Sequence, residues 1–278
     1  MKRVFYVSLC VSLILLSQIG CQTVPTERPE ESDSAIESDE DWVFDWDDLE
    51  SRIIELSNIA LRDESSTELQ SLKSQINSFQ TDDDDQRASS REYWTAVLNT
   101  NLIFFEQEYG ESAQVQTLID ESIQLLEQSD YPTVETNALL AILYRAKIDY
   151  DEGQTFALFS KMQDALDIAI EADPANLRVL LAQVFIGVHP VRGFSIDIDV
   201  QANIDTALTS NYEVDGDSMA PTWGLPLLYG LAIGRLLEAK KVTEAYELTV
   251  QAIDRCPNDM TIQYYGRLFQ VEETTTEP

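Results

Sequence analysis

The sequence predicts an all-α chain of helical hairpins, and three features of it do so. From residue 47 onward, apolar side chains recur every three or four positions in segment after segment, the period of one helix face. Helix-stopping pairs separate those segments: Tyr109-Gly110, Tyr131-Pro132 and Asp173-Pro174. Strand signal is sparse, with residues 194–200 the one alternating run worth naming.

Taken in order, residues 1–20 read as an export leader, with Lys2 and Arg3, an apolar run over 4–16, then Ser17-Gln18-Ile19-Gly20 before Cys21. The run is shorter than the roughly 20 residues of a spanning helix, so cleavage is expected. Residues 21–41 hold Pro25, Pro29, many carboxylates and Arg28 as their one base, the composition of a disordered, self-repelling tether. Trp42, Phe44 and Trp46 follow at its edge. They either pack at the start of the first helix or form a docking peptide.

N-terminal hairpins are expected over 42–132. Helices over 47–61 and 66–79 make a first pair, and helices over 91–108 and 111–128 a second. Between them, Asp82 to Asp85 lack the spaced ligands and turn glycine of an EF-hand loop. They read as a solvated stretch that favours the start of the next helix. Helices over 133–150 and 155–172 come next, the latter with Phe159, Met162, Leu166, Ala169 and Ile170 on one face. Residues 175–186 are apolar nearly all round, as in a helix buried between neighbours. Helices over 202–209, 222–239 and 242–255 precede a shorter one over 260–271, and 272–278 read as a disordered tail.

Fifty acidic against 18 basic residues give a net charge of −32, more negative still once Lys2 and Arg3 leave. Phosphate binding needs clustered Lys and Arg, so nucleic acid is excluded as a partner and basic protein surfaces are favoured. Of three cysteines, Cys10 leaves with the leader and Cys256 remains alone beside Cys21, so no disulfide is expected. Cys256 reads as a buried thiol near a helix end, the commoner case, or as a reactive thiol or an intermolecular bridge.

His189 is the single histidine, which argues against a multi-histidine zinc site or a histidine-based triad. Phosphate-binding loops, dinucleotide glycine fingerprints and Gly-x-Ser-x-Gly elbows do not occur in the chain. No catalytic residue, metal ligand or cofactor is therefore assigned, and the chain is not expected to be an enzyme. His189, Pro190 and Arg192 read as turn structure or as a binding feature of the loop they sit in.

Gly20-Cys21 resembles the lipobox of bacterial lipoproteins, with Gln18 where that family usually has Leu. The resemblance implies that Cys21 is lipidated and anchors the chain, periplasm-facing, in the cell envelope. Gln22, where many inner-membrane lipoproteins carry Asp, implies the outer membrane. Further along, Ala169-Ile-Glu-Ala-Asp-Pro174 nearly repeats as Ala252-Ile-Asp-Arg-Cys-Pro257, with a weaker copy at Ala207-Leu208. Ala245, Thr249, Ala252 and Pro257 resemble the second-helix signature of a tetratricopeptide repeat, and Met162, Leu166, Ala169 and Pro174 repeat it with Met where Ala is usual. The copies recur 38 and 45 residues apart, against 34 in that family, which insertions around 189–199 and 211–221 explain.

This resemblance spans 133–270 and implies an irregular TPR-like helical-hairpin solenoid over 133–271; a non-repeating bundle is the alternative. Stacked hairpins expose a concave face, to which Tyr144, Tyr150, Trp223, Tyr229 and Tyr264 are assigned as a partner or ligand surface. The implied function is a membrane-tethered scaffold that grips another envelope protein. A second resemblance, to the TatT component of TRAP transporters, lies over 182–211, where Gly187, Pro190 and Gly193 precede an amphipathic helix. That family usually carries Gly-Gly-Asp where this chain has Gly193-Phe194-Ser195-Ile196-Asp197. It implies a small apolar ligand held between helices and passed to a solute-binding protein.

Overall fold

The computed structural model describes residues 48–78, 85–129, 134–210 and 221–270, with side chains omitted over 85–89. The leader, Cys21, the tether, Trp42 to Trp46, Asp82 to Asp84, residues 211–220 and the tail lie outside the described residues. Among the described residues there are eleven α-helices and no strand. They run α1 Leu49–Asp63, α2 Thr67–Ser78, α3 Asp85–Tyr109, α4 Ser112–Gln128, α5 Val134–Ile148, α6 Thr155–Ala172, α7 Leu177–Val188, α8 Val200–Thr209, α9 Leu225–Glu238, α10 Val242–Arg255 and α11 Met260–Phe269.

Local chemistry sets the boundaries. The Asn176 side chain caps α7 by accepting from the Arg178 N–H at 2.9 Å. Asp199 caps α8 through Ala202, and Asp259 caps α11 through Ile262. Each cap satisfies an N–H that the helix itself leaves open. At the far ends, Glu64, Lys240 and Gln270 take left-handed backbone angles to turn the chain. The helix expected over 91–108 starts earlier, at Asp85, because residues 86–90 carry no apolar periodicity to announce it.

Consecutive helices pack as pairs: α1 with α2, α3 with α4, α5 with α6, α7 with α8 and α9 with α10. The second helix of each pair also packs on the first helix of the next, as in α4–α5 and α8–α9. First helices touch along α5–α7–α9–α11 and at α1–α3.

Two apolar cores share α9. One joins Leu177, Leu180, Leu181 and Val184 of α7 to Ile204 and Ala207 of α8 and to Leu228 and Ala232. The other joins Tyr229 and Ile233 to Ala245 and Ala252 of α10 and to Ile262 and Tyr265 of α11. Burying one such Leu or Ile stabilises by roughly 1.5–3 kcal/mol, and the buried alanines let neighbouring helices approach closely.

The alternation over 194–200 makes no sheet. It survives as burial alone: Phe194, Ile196, Ile198 and Val200 are half-buried, while Ser195, Asp197 and Asp199 are exposed. This segment lies against the end of α7 at Gly187, where a Cβ would come within 2.3 Å of the Val200 side chain. Phe194 packs on Phe159 of α6 at a centroid separation of 4.3 Å.

The first pair also meets residues far along the chain. The Thr222 N–H donates to Glu50 of α1 at 2.7 Å, and its hydroxyl donates to the same carboxylate. The Asn58 side-chain amide donates to the Asn258 carbonyl at 3.1 Å.

Candidate functional site

The leading ends of α1, α5, α7 and α9 converge with α3 on one buried polar cluster. At its centre is Arg178, 0% exposed in the first turn of α7. Its guanidinium donates to Glu135, in the first turn of α5, at 3.3 Å. The Asn176 amide donates to the same carboxylate oxygen at 2.7 Å, so one residue both caps α7 and secures the ion pair. From α3, the buried Tyr93 hydroxyl accepts from the Trp223 indole N–H at 2.9 Å. Glu50, bonded to Thr222, completes the ring of elements.

The fully buried cation is tolerated because the Glu135 carboxylate pairs with it and the Glu50 charge acts on it as well. Burial raises the Glu50 pKa, while Thr222 and the Arg178 charge pull against that rise. Burial drives the Tyr93 phenol far above its ordinary range, so it stays protonated. Chemically, the cluster is a neutralising clasp. It holds five elements in register through directional bonds, and its one cation is already paired.

The five aromatics assigned to a partner surface divide. Tyr144 and Tyr229 are 4% and 1% exposed. Tyr229 belongs to the core, and the Tyr144 hydroxyl donates to Glu127 of α4 with Lys161 over its ring at 5.4 Å. Trp223, Tyr150 and Tyr264 are half-buried on separate elements, and Trp223 belongs to the polar cluster. Tyr264 lies edge-on to Tyr265 at 5.7 Å. The repeat-signature residues behave uniformly: Ala169, Ala207, Ala245 and Ala252 are buried, and Pro174 and Pro257 are exposed just past α6 and α10.

At the end of α7, the His189 carbonyl accepts from Arg145 of α5, which also pairs with Asp149 at 2.9 Å. The His189 ring packs beside Phe185 at 4.9 Å. Burial holds this imidazole down to about 4, with the Arg145 charge adding to the drop. Cys256 is half-buried, and burial pushes its thiol up to about 11. An open cleft of about 630 Å³ lies between residues 187–201 and α9, with Asp197, Asp199, Arg235 and Glu238 among its walls.

Two features escaped the sequence analysis although signals for them existed. Arg178 is the one charge in an otherwise apolar helix, which already demands a buried partner. On α10, Val242, Tyr246 and Val250 form a second apolar row beside the Ala245, Thr249 and Ala252 face.

Among the described residues, no group of three or more His, Cys, Asp or Glu is placed to hold a metal ion, and no helix is long and apolar enough to cross a membrane. No protein-family model, no curated protein and no solved structure matches the chain.

Proposed function

We propose that the chain is a lipid-anchored envelope protein, periplasm-facing and held to the outer membrane through Cys21, whose TPR-like hairpins serve as a scaffold for another envelope protein. One observation supports this reading: each helical pair touches the next, and Ala169, Ala245 and Ala252 are buried where a repeat needs small residues. Arrays of this kind present extended surfaces because each unit buries itself only against its neighbours. The large negative charge supports a basic partner surface.

The TatT-like alternative, a small apolar ligand passed to a solute-binding protein, calls for an enclosed apolar channel. The cleft between 187–201 and α9 is open, and Asp197, Asp199, Arg235 and Glu238 line it beside Val188, Ile198 and Val200, so that cleft is not such a channel.

In the test, the membrane-bound protein is crosslinked in intact cells, and coupled proteins and extracted lipids are identified by mass spectrometry from one sample. The scaffold reading expects a structural or assembly protein and no ligand; a solute-binding protein with a bound apolar molecule would replace it by the transport reading. Cys21→Ala is expected to move the protein from the membrane to the soluble fraction, and unchanged fractionation would reject the lipid anchor.

A further inference from the structure

Helix α10 carries two apolar rows. Ala245, Thr249 and Ala252 are buried, the alanines in the core shared with α9 and α11. Val242, Tyr246 and Val250, spaced i, i+4, i+8, remain 56%, 43% and 40% exposed. Phe269 of α11 extends this row, its ring edge-on to Tyr246 at 5.9 Å. On the solvent side, about one residue's rotation round the helix from Tyr246, lie the exposed carboxylates Glu247 and Asp254. Neither forms an ion pair among the described residues, whereas Lys241 at the head of the helix is paired with Glu244 at 2.9 Å.

We propose that this face of α10 is a docking site for an amphipathic helix of another protein whose apolar side chains are flanked by Lys and Arg. The proposal rests on the scaffold reading and names its surface and the chemistry of its partner. Val242 to Val250 spans two helical turns, about 12 Å along the axis. An apolar row of that length, inclined to the axis as i, i+4, i+8 rows are, suits the i, i+3, i+4, i+7 anchors of a helix crossing it at a shallow angle. Charge selects the occupant. In a symmetric pairing of two copies, Glu247 and Asp254 of one would face those of the other, on chains each carrying −32. Residues 271–278 hold three glutamates and no base, so the same rim disfavours them. A basic flank is attracted by it.

The probe is a synthetic 18-residue amphipathic helix with leucines on one face and lysines beside them, titrated by fluorescence anisotropy into the full mature chain. Binding is expected, with Tyr246→Glu weakening it about tenfold or more. That variant adds a negative charge, so diffuse attraction between a basic peptide and an acidic protein predicts the opposite change. Phe156→Glu, on the exposed start of α6, serves as a control and should leave binding unaltered. Tyr246→Ser provides a milder variant if the glutamate lowers helix content, and Glu247→Lys should weaken binding and flatten its salt dependence. The proposal fails if the probe does not bind, or if Tyr246→Glu and Tyr246→Ser both bind as wild type does. It also fails if sedimentation shows a dimer that Tyr246→Glu dissolves, or if removing 272–278 raises affinity tenfold, since a second copy or the tail would then be the occupant. If crosslinking in cells recovers an envelope protein while the probe ignores Tyr246, the docking face is wrong and the scaffold stands. Probe binding that depends on Tyr246 with no envelope partner recovered leaves the face and removes the scaffold.

Discussion

Arg178 shows how a single side chain commits its surroundings. Its guanidinium is fully buried against Glu135, so removing it strands a carboxylate that Asn176 also holds in place. Breaking one half of such a pair costs about 3–5 kcal/mol, whereas replacing both halves by apolar groups is often close to neutral. Arg178→Met is therefore expected to lower the denaturation midpoint strongly, and the Arg178→Met, Glu135→Leu double variant to recover much of the loss; a double variant worse than the sum of the singles would reject this. His189 acts through protons. The imidazole ordinarily titrates near 6.5 and in the fold near 4, so between those values the unfolded chain takes up a proton that the folded chain refuses. Stability at this site is thus present above pH 6.5 and falls as pH drops through the window. Melting temperatures of wild type and His189→Gln should converge between pH 7 and 5, and parallel curves would show the site to be silent.

At the scale of the element, α3 carries a cost that its sequence hides. The Thr95 hydroxyl and both ends of the Asn99 amide are buried, and no hydrogen-bonding group among the described residues reaches them. A buried polar group left in that state costs about 1–3 kcal/mol. Asn99→Leu, of similar volume, is expected to raise the melting temperature, and a fall would mean that the amide is satisfied. Such sites are hard to read in a sequence, since Thr95 and Asn99 look like exposed polar positions until the neighbouring helices are placed. Helices with clear punctuation were legible: α6 and α10 run from Thr155 to Ala172 and from Val242 to Arg255, as their Ala and Pro positions predict. The start of α8 lay two residues earlier than its apolar pattern, at Val200, because the Asp199 cap sets it. The Arg178 cluster was legible only as an oddity, one charge in an apolar run. Its partners come from residues 50, 93, 135 and 223, and no local pattern links those positions.

Across the whole molecule, successive pairing would make stability a sum of neighbouring units that can open one at a time. The bonds from Glu50 to Thr222 and from Asn58 to Asn258 join positions 172 and 200 residues apart and oppose that independence. Native-state hydrogen exchange should find α1 opening together with α9, and Glu50→Ala should let α1 exchange first; an α1 that already opens alone in wild type would show these bonds to be inconsequential. Under the lipoprotein reading, they also decide where mechanical load goes. A pull on such an anchor would reach the described helices first at α1, the element bonded to positions far along the chain. Tension arriving there would load the Glu50–Thr222 and Asn58–Asn258 bonds along with α1 itself, which would make that helix a strain relief for the hairpins that follow.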